Sequence, residues 1–79
     1  MEDGWALLSE AIVLQAAEDY RTALRALRRR PDLRPARRRR TALERFFRSR
    51  WFSTLSGLDP ERLISALREE AEPRDKRYR

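Results

Sequence analysis

The chain has 79 residues, a formal net charge of +6 and neither cysteine nor histidine. This length allows one domain, and the missing residue types exclude disulfides and the usual zinc and haem sites. No apolar run is long enough to span a membrane, and the acidic start of the chain lacks the positive charge of a secretory signal. We therefore expect a soluble cytoplasmic protein that does not contact membranes and needs no cofactor or metal.

The positive charge is concentrated in the middle of the chain. Residues 1–20 carry a formal charge of −5, residues 21–50 carry +11, and residues 51–79 are neutral overall. A concentrated basic segment attracts anions and speeds their association. The expected partners are phosphate-bearing ligands, such as nucleotides or nucleic acids, or an acidic protein surface.

Apolar residues recur every three or four positions through residues 4–29, which predicts one long helix with Asp3 as its N-cap and Pro31 just beyond its end. The first half of this helix is apolar around most of its circumference, as Ala6–Leu8 and Ala11–Leu14 show. Such a helix is normally covered on most sides, and a short chain cannot cover it alone. The sequence therefore predicts a homo-oligomer with the first helix at its interface.

Three further helices are predicted, over residues 35–48, 50–56 and 60–71. Pro35 suits the first turn of the second helix. Ser49 is the expected N-cap of the third helix, and Gly57 is expected to end it in a left-handed conformation. Asp59 is the expected N-cap of the fourth. The predicted fold is an all-α bundle of three main helices and one short helix in a single domain of residues 1–72, followed by a flexible basic tail, residues 73–79.

An enzyme is not expected. Without histidine or cysteine, the usual pairs of nucleophile and base are missing, and the serines have no evident base. The acidic cluster Glu69, Glu70 and Glu72 could bind a metal, but pairing of Glu69 and Glu72 with Arg62 or Arg68 is the simpler interpretation.

Residues 37–52, which we call the basic–aromatic segment, contain seven arginines and four aromatic residues. Guanidinium groups bind phosphates, and flat rings stack on bases. Helical periodicity divides the segment. Phe47 and Phe52 are expected in the core, and Trp51 could serve either the core or a ligand. A separate outward stripe is formed by three arginines and a threonine: Arg38, Thr41, Arg45 and Arg48. A further arginine, Arg39, continues the apolar line, where it covers the core or enters a pocket.

Residues 11–21, the segment Glu44–Ser49 with Trp51 and Phe52, and residues 63–70 together resemble small proteins encoded in bacteriophages and prophages. That family has no assigned function, so the resemblance implies a phage accessory role but no active site. Small phage proteins of this kind include inhibitors of host immunity, some of which are oligomers that sequester signalling nucleotides. Arg50 departs from the family pattern, in which an acidic residue is expected.

These observations lead to a hypothesis of non-enzymatic capture of an anionic nucleotide at a cleft between subunits. Arg39, Arg45 and Arg48 would hold phosphates, and Tyr20 or Trp51 would stack on the base. One alternative is non-specific binding of DNA or RNA, and another is inhibition of an acidic host protein. The candidate ligand-binding residues are Arg39, Arg40, Arg45, Arg48, Arg50, Tyr20 and Trp51.

Overall fold

The computed structural model describes the backbone of residues 2–72 and the side chains of residues 8–72. Four helices account for nearly all of this range: α1 (Glu2–Arg29), α2 (Arg34–Phe47), α3 (Arg50–Ser56) and α4 (Pro60–Ala71). No strand occurs among the described residues, which confirms the predicted all-α class. The predicted flexible tail, residues 73–79, lies outside the described residues.

The helix boundaries follow local chemistry closely. The Ser49 hydroxyl accepts a hydrogen bond from the Phe52 N–H (3.1 Å) and donates one to the Phe46 carbonyl (2.7 Å), so it joins α2 to α3. Gly57 ends α3 with φ of 71°, and Asp59 caps α4 by accepting from the Glu61 N–H. The prediction of Asp3 as an N-cap was wrong, because α1 already begins at Glu2.

The core lies where the second half of α1 meets the other three helices. Helix α1 packs most extensively on α2, then on α4, and contacts α3 as well. Tyr20, Phe47 and Phe52 are completely buried, which confirms the prediction for the two phenylalanines. The small residues Ala16 and Ala17 on α1 and the aliphatic residues Ile64 and Leu67 on α4 complete the cluster.

Helix α1 sets the shape of the molecule. Its 28 residues span about 42 Å, and the longest dimension of the molecule is 49 Å. The radius of gyration is 14.3 Å, whereas a compact domain of this length has about 12 Å. Among the residues whose side chains are described, the core cluster reaches no further toward the start of α1 than Val13.

Three apolar residues in the first half of α1 are exposed. Leu8 is 51% exposed and Leu14 is 63% exposed, and Ala11 between them is also exposed. These three residues lie on the side of the helix opposite Tyr20, given 100° of rotation per residue. No helix within the described part of the chain is long and apolar enough to cross a membrane.

Candidate anion-binding surface on the second helix

The two sides of α2 have different chemistry. Ala36 and Phe47 are buried against the rest of the protein, and Leu43 is half-buried beside the core. The opposite side is exposed and carries four arginines and one threonine, which we call the α2 basic face: Arg34, Arg37, Arg38, Thr41 and Arg45. An open groove runs along it, lined by four of these residues and Ala42. The outward position predicted for Arg38, Thr41 and Arg45 therefore agrees with the structure.

The arginines of the α2 basic face have no acidic partner within residues 8–72, whose side chains the structure describes. Among the described residues, none of these guanidinium groups makes an ion pair or a side-chain hydrogen bond. Arg48, predicted to share the stripe, differs. Its Nε and Nη2 donate to the two carboxylate oxygens of Glu61 at 2.6 and 3.1 Å. Arg48 therefore connects α2 to α4.

The beginning of α2 has Pro35 in its first turn, which suits a helix N-terminus, but it lacks a side-chain cap and an acidic residue. Its N-cap is Leu33, which provides no side-chain hydrogen bond, and its first turn contains no acidic residue. Arg34, Arg37 and Arg38 instead place positive charge at the positive end of the helix dipole. Arg34 is also three and four residues from the other two, a spacing at which like charges repel. A bound anion would relieve both effects.

Arg39 and Arg40 lie on different sides of α2. Arg39 is exposed and lines neither the groove of the α2 basic face nor the cleft described next. Arg40 is half-buried and lines a cleft between α1, α2 and α4. The cleft has an apolar floor and three guanidinium groups, and its lining is Leu24, Leu27, Arg28, Arg40, Arg68, Ala71 and Glu72. Arg28 donates to the Ala71 carbonyl at 2.9 Å.

Tyr20 is not available for stacking, and this part of the hypothesis needs correction. Its ring is completely buried and packs edge-on against Phe47 at 5.5 Å between centroids. Its hydroxyl donates to Glu44 Oε2 at 2.6 Å and accepts from Arg68 Nε at 3.2 Å. Arg68 Nη2 also donates to Glu44 Oε2 at 2.7 Å. Tyr20, Glu44 and Arg68 thus form a hydrogen-bonded triad that joins α1, α2 and α4.

The triad shifts the ionisation of its members. Burial is the largest influence on Tyr20 and raises its pKa above 10.0, and the hydrogen bond to the negatively charged Glu44 raises it further. Burial also raises the pKa of Glu44, but the hydrogen bonds from Tyr20 and Arg68 and the charges of Arg68 and Arg40 outweigh that effect. The pKa of Glu44 therefore lies below 4.5. The triad holds a neutral phenol, a carboxylate and a guanidinium at neutral pH.

Trp51 lies outside the core. It is 53% exposed, and its indole packs against Phe46 with 5.8 Å between ring centroids. Phe46 in turn contacts Phe47 and Phe52, so Trp51 is the exposed end of a continuous aromatic cluster. Arg50, which precedes it, is exposed and has no ion-pair partner among the described residues.

The structure does not bring all seven predicted residues to one place. Arg45 belongs to the α2 basic face, Arg40 to the cleft, Arg48 to an ion pair, and Tyr20 to the core. Arg50 and Trp51 lie at the start of α3, and Arg39 is exposed on α2.

The sequence did not predict the partners of Glu61 and Arg68, which join α4 to α2. Arg68 pairs with Glu44 rather than with Glu69 or Glu72, and Arg21 pairs with Glu70 at 2.7 Å. These partners are 13 to 49 residues apart in the chain, so no local spacing could reveal them. No group of potential metal ligands occurs in the described part of the chain.

Comparisons with models of known protein families, with curated proteins and with solved structures gave no match. The resemblance to phage proteins therefore remains a prediction.

Proposed function

We propose that this protein binds the phosphate backbone of nucleic acid through the α2 basic face and does not catalyse a reaction on it. The observation that carries the proposal is a row of exposed guanidinium groups on one side of one helix, none of which pairs with an acidic group in the described part of the chain. Arg38 and Arg45 are seven residues apart and thus about 10 Å apart along the helix axis. An open surface of this length fits a repeating chain of phosphates better than a single small anion.

The unfavourable beginning of α2 supports the same function. Local rules of helix stability are most often broken at functional sites, where the cost is offset by another gain. Arg34, Arg37 and Arg38 destabilise the isolated helix and contribute nothing to the described core. Their positions are best explained by a polyanion that neutralises them when it binds.

The dependence of affinity on salt tests this proposal. Each phosphate contact contributes about 0.7 to the logarithmic salt slope for a single strand and about 0.9 for a duplex. Four arginines of the α2 basic face therefore predict a slope of about 3 for a short single-stranded oligonucleotide. Neutralising Arg38 or Arg45 by substitution to glutamine should lower the slope by one such increment. The matched control is Arg62→Gln, which removes an exposed charge from α4.

A flat salt dependence, or equal effects of Arg45→Gln and Arg62→Gln, would contradict the proposal. The absence of any binding to nucleic acid would favour the alternative of an acidic host protein as the partner. Binding should be measured by fluorescence anisotropy over a series of salt concentrations.

Capture of a small nucleotide is the second candidate, and the cleft between α1, α2 and α4 favours it. Its apolar floor at Leu24 and Leu27 could receive a base, and Arg40 could contact a phosphate. Titration calorimetry with cyclic and linear nucleotides tests this candidate. Binding that Arg40→Gln abolishes and Arg45→Gln leaves unchanged would favour the cleft over the α2 basic face.

We also propose that copies of the chain associate through the outer side of α1. Leu8, Ala11 and Leu14 form an exposed apolar surface, which is the kind of surface that mediates association of helices. Light scattering tests this association. A mass of 9.5 kDa at micromolar concentration would contradict it.

If the chain is a phage accessory protein, as the resemblance implies, its target would be a nucleic acid or a signalling nucleotide of the host. Both candidates are consistent with interference with host immunity. Neither requires an enzymatic step.

A further inference from the structure

We infer that Trp51 stacks on an unpaired base, so that the protein prefers single-stranded nucleic acid to a duplex. This inference rests on the proposed binding of a phosphate backbone to the α2 basic face. Stacking by Trp51 would add an aromatic contact to the phosphate contacts of the arginines. It would select single-stranded nucleic acid.

The exposure of Trp51 is the first observation. Large aromatic side chains are usually buried, yet 53% of this residue is exposed. Its indole contacts Phe46 at 5.8 Å and an interplanar angle of 48°. About half of the residue surface thus rests on the protein and the other half remains open.

The support behind Trp51 is the second observation. The Phe46 ring lies 5.2 Å from the Phe52 ring and 6.1 Å from the Phe47 ring, measured between ring centroids. Phe47 and Phe52 are both completely buried. The hydrogen bonds of Ser49 to Phe46 and Phe52 fix the turn between the two helices. Trp51 is therefore held by the core, and stacking would require little additional ordering of the protein.

The position of Trp51 beside positive charge is the third observation. Phe46, which Trp51 contacts, is about 100° around α2 from Arg45 and lies on the same side of the helix as Arg39, seven residues earlier. Exposed Ala42 lies between these positions and lines the groove of the α2 basic face. Arg50 adds a further exposed charge next to Trp51 in the chain. No acidic residue occurs between Arg45 and Leu58.

These features together define the ligand. An exposed ring that follows Arg50 in the chain and packs on a helix rich in exposed arginines matches a base next to its phosphates, and such stacking tolerates any base sequence. In a duplex the flat faces of the bases are already stacked on each other, so Trp51 cannot reach them. A polypeptide partner or a second copy could also cover an aromatic ring, but the surplus of exposed arginines on α2 and Arg50 favours a polyanion with flat groups.

The test uses Trp5→Phe protein, in which Trp51 is the remaining tryptophan. We expect a short oligothymidylate to quench its fluorescence, whereas a duplex of the same length should bind with little quenching. In the wild-type background, Trp51→Ala should weaken single-strand binding by about 5- to 150-fold, which corresponds to the known value of one stacked base. The affinity for the duplex and the salt slope should not change.

Two controls separate the possible failures. Trp51→Phe should retain part of the single-strand affinity, whereas Trp51→Leu, of similar apolar character, should not. Equal losses for single strand and duplex, or retained affinity in Trp51→Leu, would overturn the role of Trp51 and leave backbone binding intact. If neither nucleic acid binds, both proposals fail. A change in mass on Trp51→Leu would assign Trp51 to an interface between copies and likewise overturn the inference.

Discussion

Removal of one oxygen atom from the core should measurably destabilise the protein. In Tyr20→Phe the ring keeps its packing against Phe47, but the hydroxyl that bridges Glu44 and Arg68 is lost. Hydrogen bonds to charged groups contribute about 1.5–3 kcal/mol. The Glu44 side chain is 14% exposed and retains its bond to Arg68, so the lower end of this range, about 1.5 kcal/mol, is the expected loss.

This loss of folding free energy corresponds to a decrease in melting temperature. Unfolding entropy near 60 °C is about 2.1 cal/mol/K per residue, so 1 kcal/mol shifts the melting temperature of this chain by about 6 °C. Tyr20→Phe should therefore lower it by about 9 °C in circular dichroism melts at neutral pH. The control is Glu61→Gln, which breaks the exposed pair with Arg48 and should have little effect.

The same variant should change the response to alkaline pH. Because the pKa of Tyr20 is raised in the folded state, its contribution to stability is complete below pH 10.0 and is lost as pH rises above that value. Wild type should lose stability in this range, and Tyr20→Phe should not show this part of the loss. The importance of the triad would be refuted if Tyr20→Phe had an unchanged melting temperature. It would also be refuted if wild type and Tyr20→Phe lost stability equally as pH rises above 10.0.

The remaining predictions concern the helix ends, the carboxylate of the triad and the surface of α1. Ser49→Ala should lower the free energy of unfolding by about 1 kcal/mol, because the Phe52 N–H loses its acceptor. Gly57→Ala should lower it by about as much, because φ of 71° is unfavourable for residues with a Cβ. Urea titration checks both predictions. Since the pKa of Glu44 is lowered, its contribution to folding stability is present above pH 4.5 and lost as pH falls below that value. In melts between pH 3 and 7, the melting temperature of Glu44→Gln should therefore fall less at acidic pH than that of wild type. Leu14→Glu should reduce the mass measured by light scattering if α1 joins two copies, and an unchanged mass would argue against that interface.

The short-range features of this fold could be predicted from the sequence because their causes are local. Ser49, Gly57 and Asp59 each act on residues within four positions, so α3 and α4 have the predicted bounds. Helix α2 begins one residue earlier than predicted, at Arg34, because Leu33 rather than Arg34 has extended backbone angles.

The candidate site was harder to predict because it depends on contacts between helices. Helical periodicity placed Arg38 and Arg45 on an outward side, and the structure agrees. Periodicity could not show that Glu61 would pair with Arg48, or that Glu44 would bind a tyrosine 24 residues away. Tyr20 is the clearest example, because an amphipathic ring suits a ligand or a core equally well until its neighbours are known.

The charge at the start of α2 has a consequence for how the protein responds to ionic strength. Repulsion among Arg34, Arg37 and Arg38 acts over distances comparable with the Debye length, about 10 Å in 0.1 M salt. Added salt should therefore stabilise the free protein while it weakens the attraction to phosphates. Fold stability and ligand affinity would then change in opposite directions along the same salt series, since both originate from the same guanidinium groups.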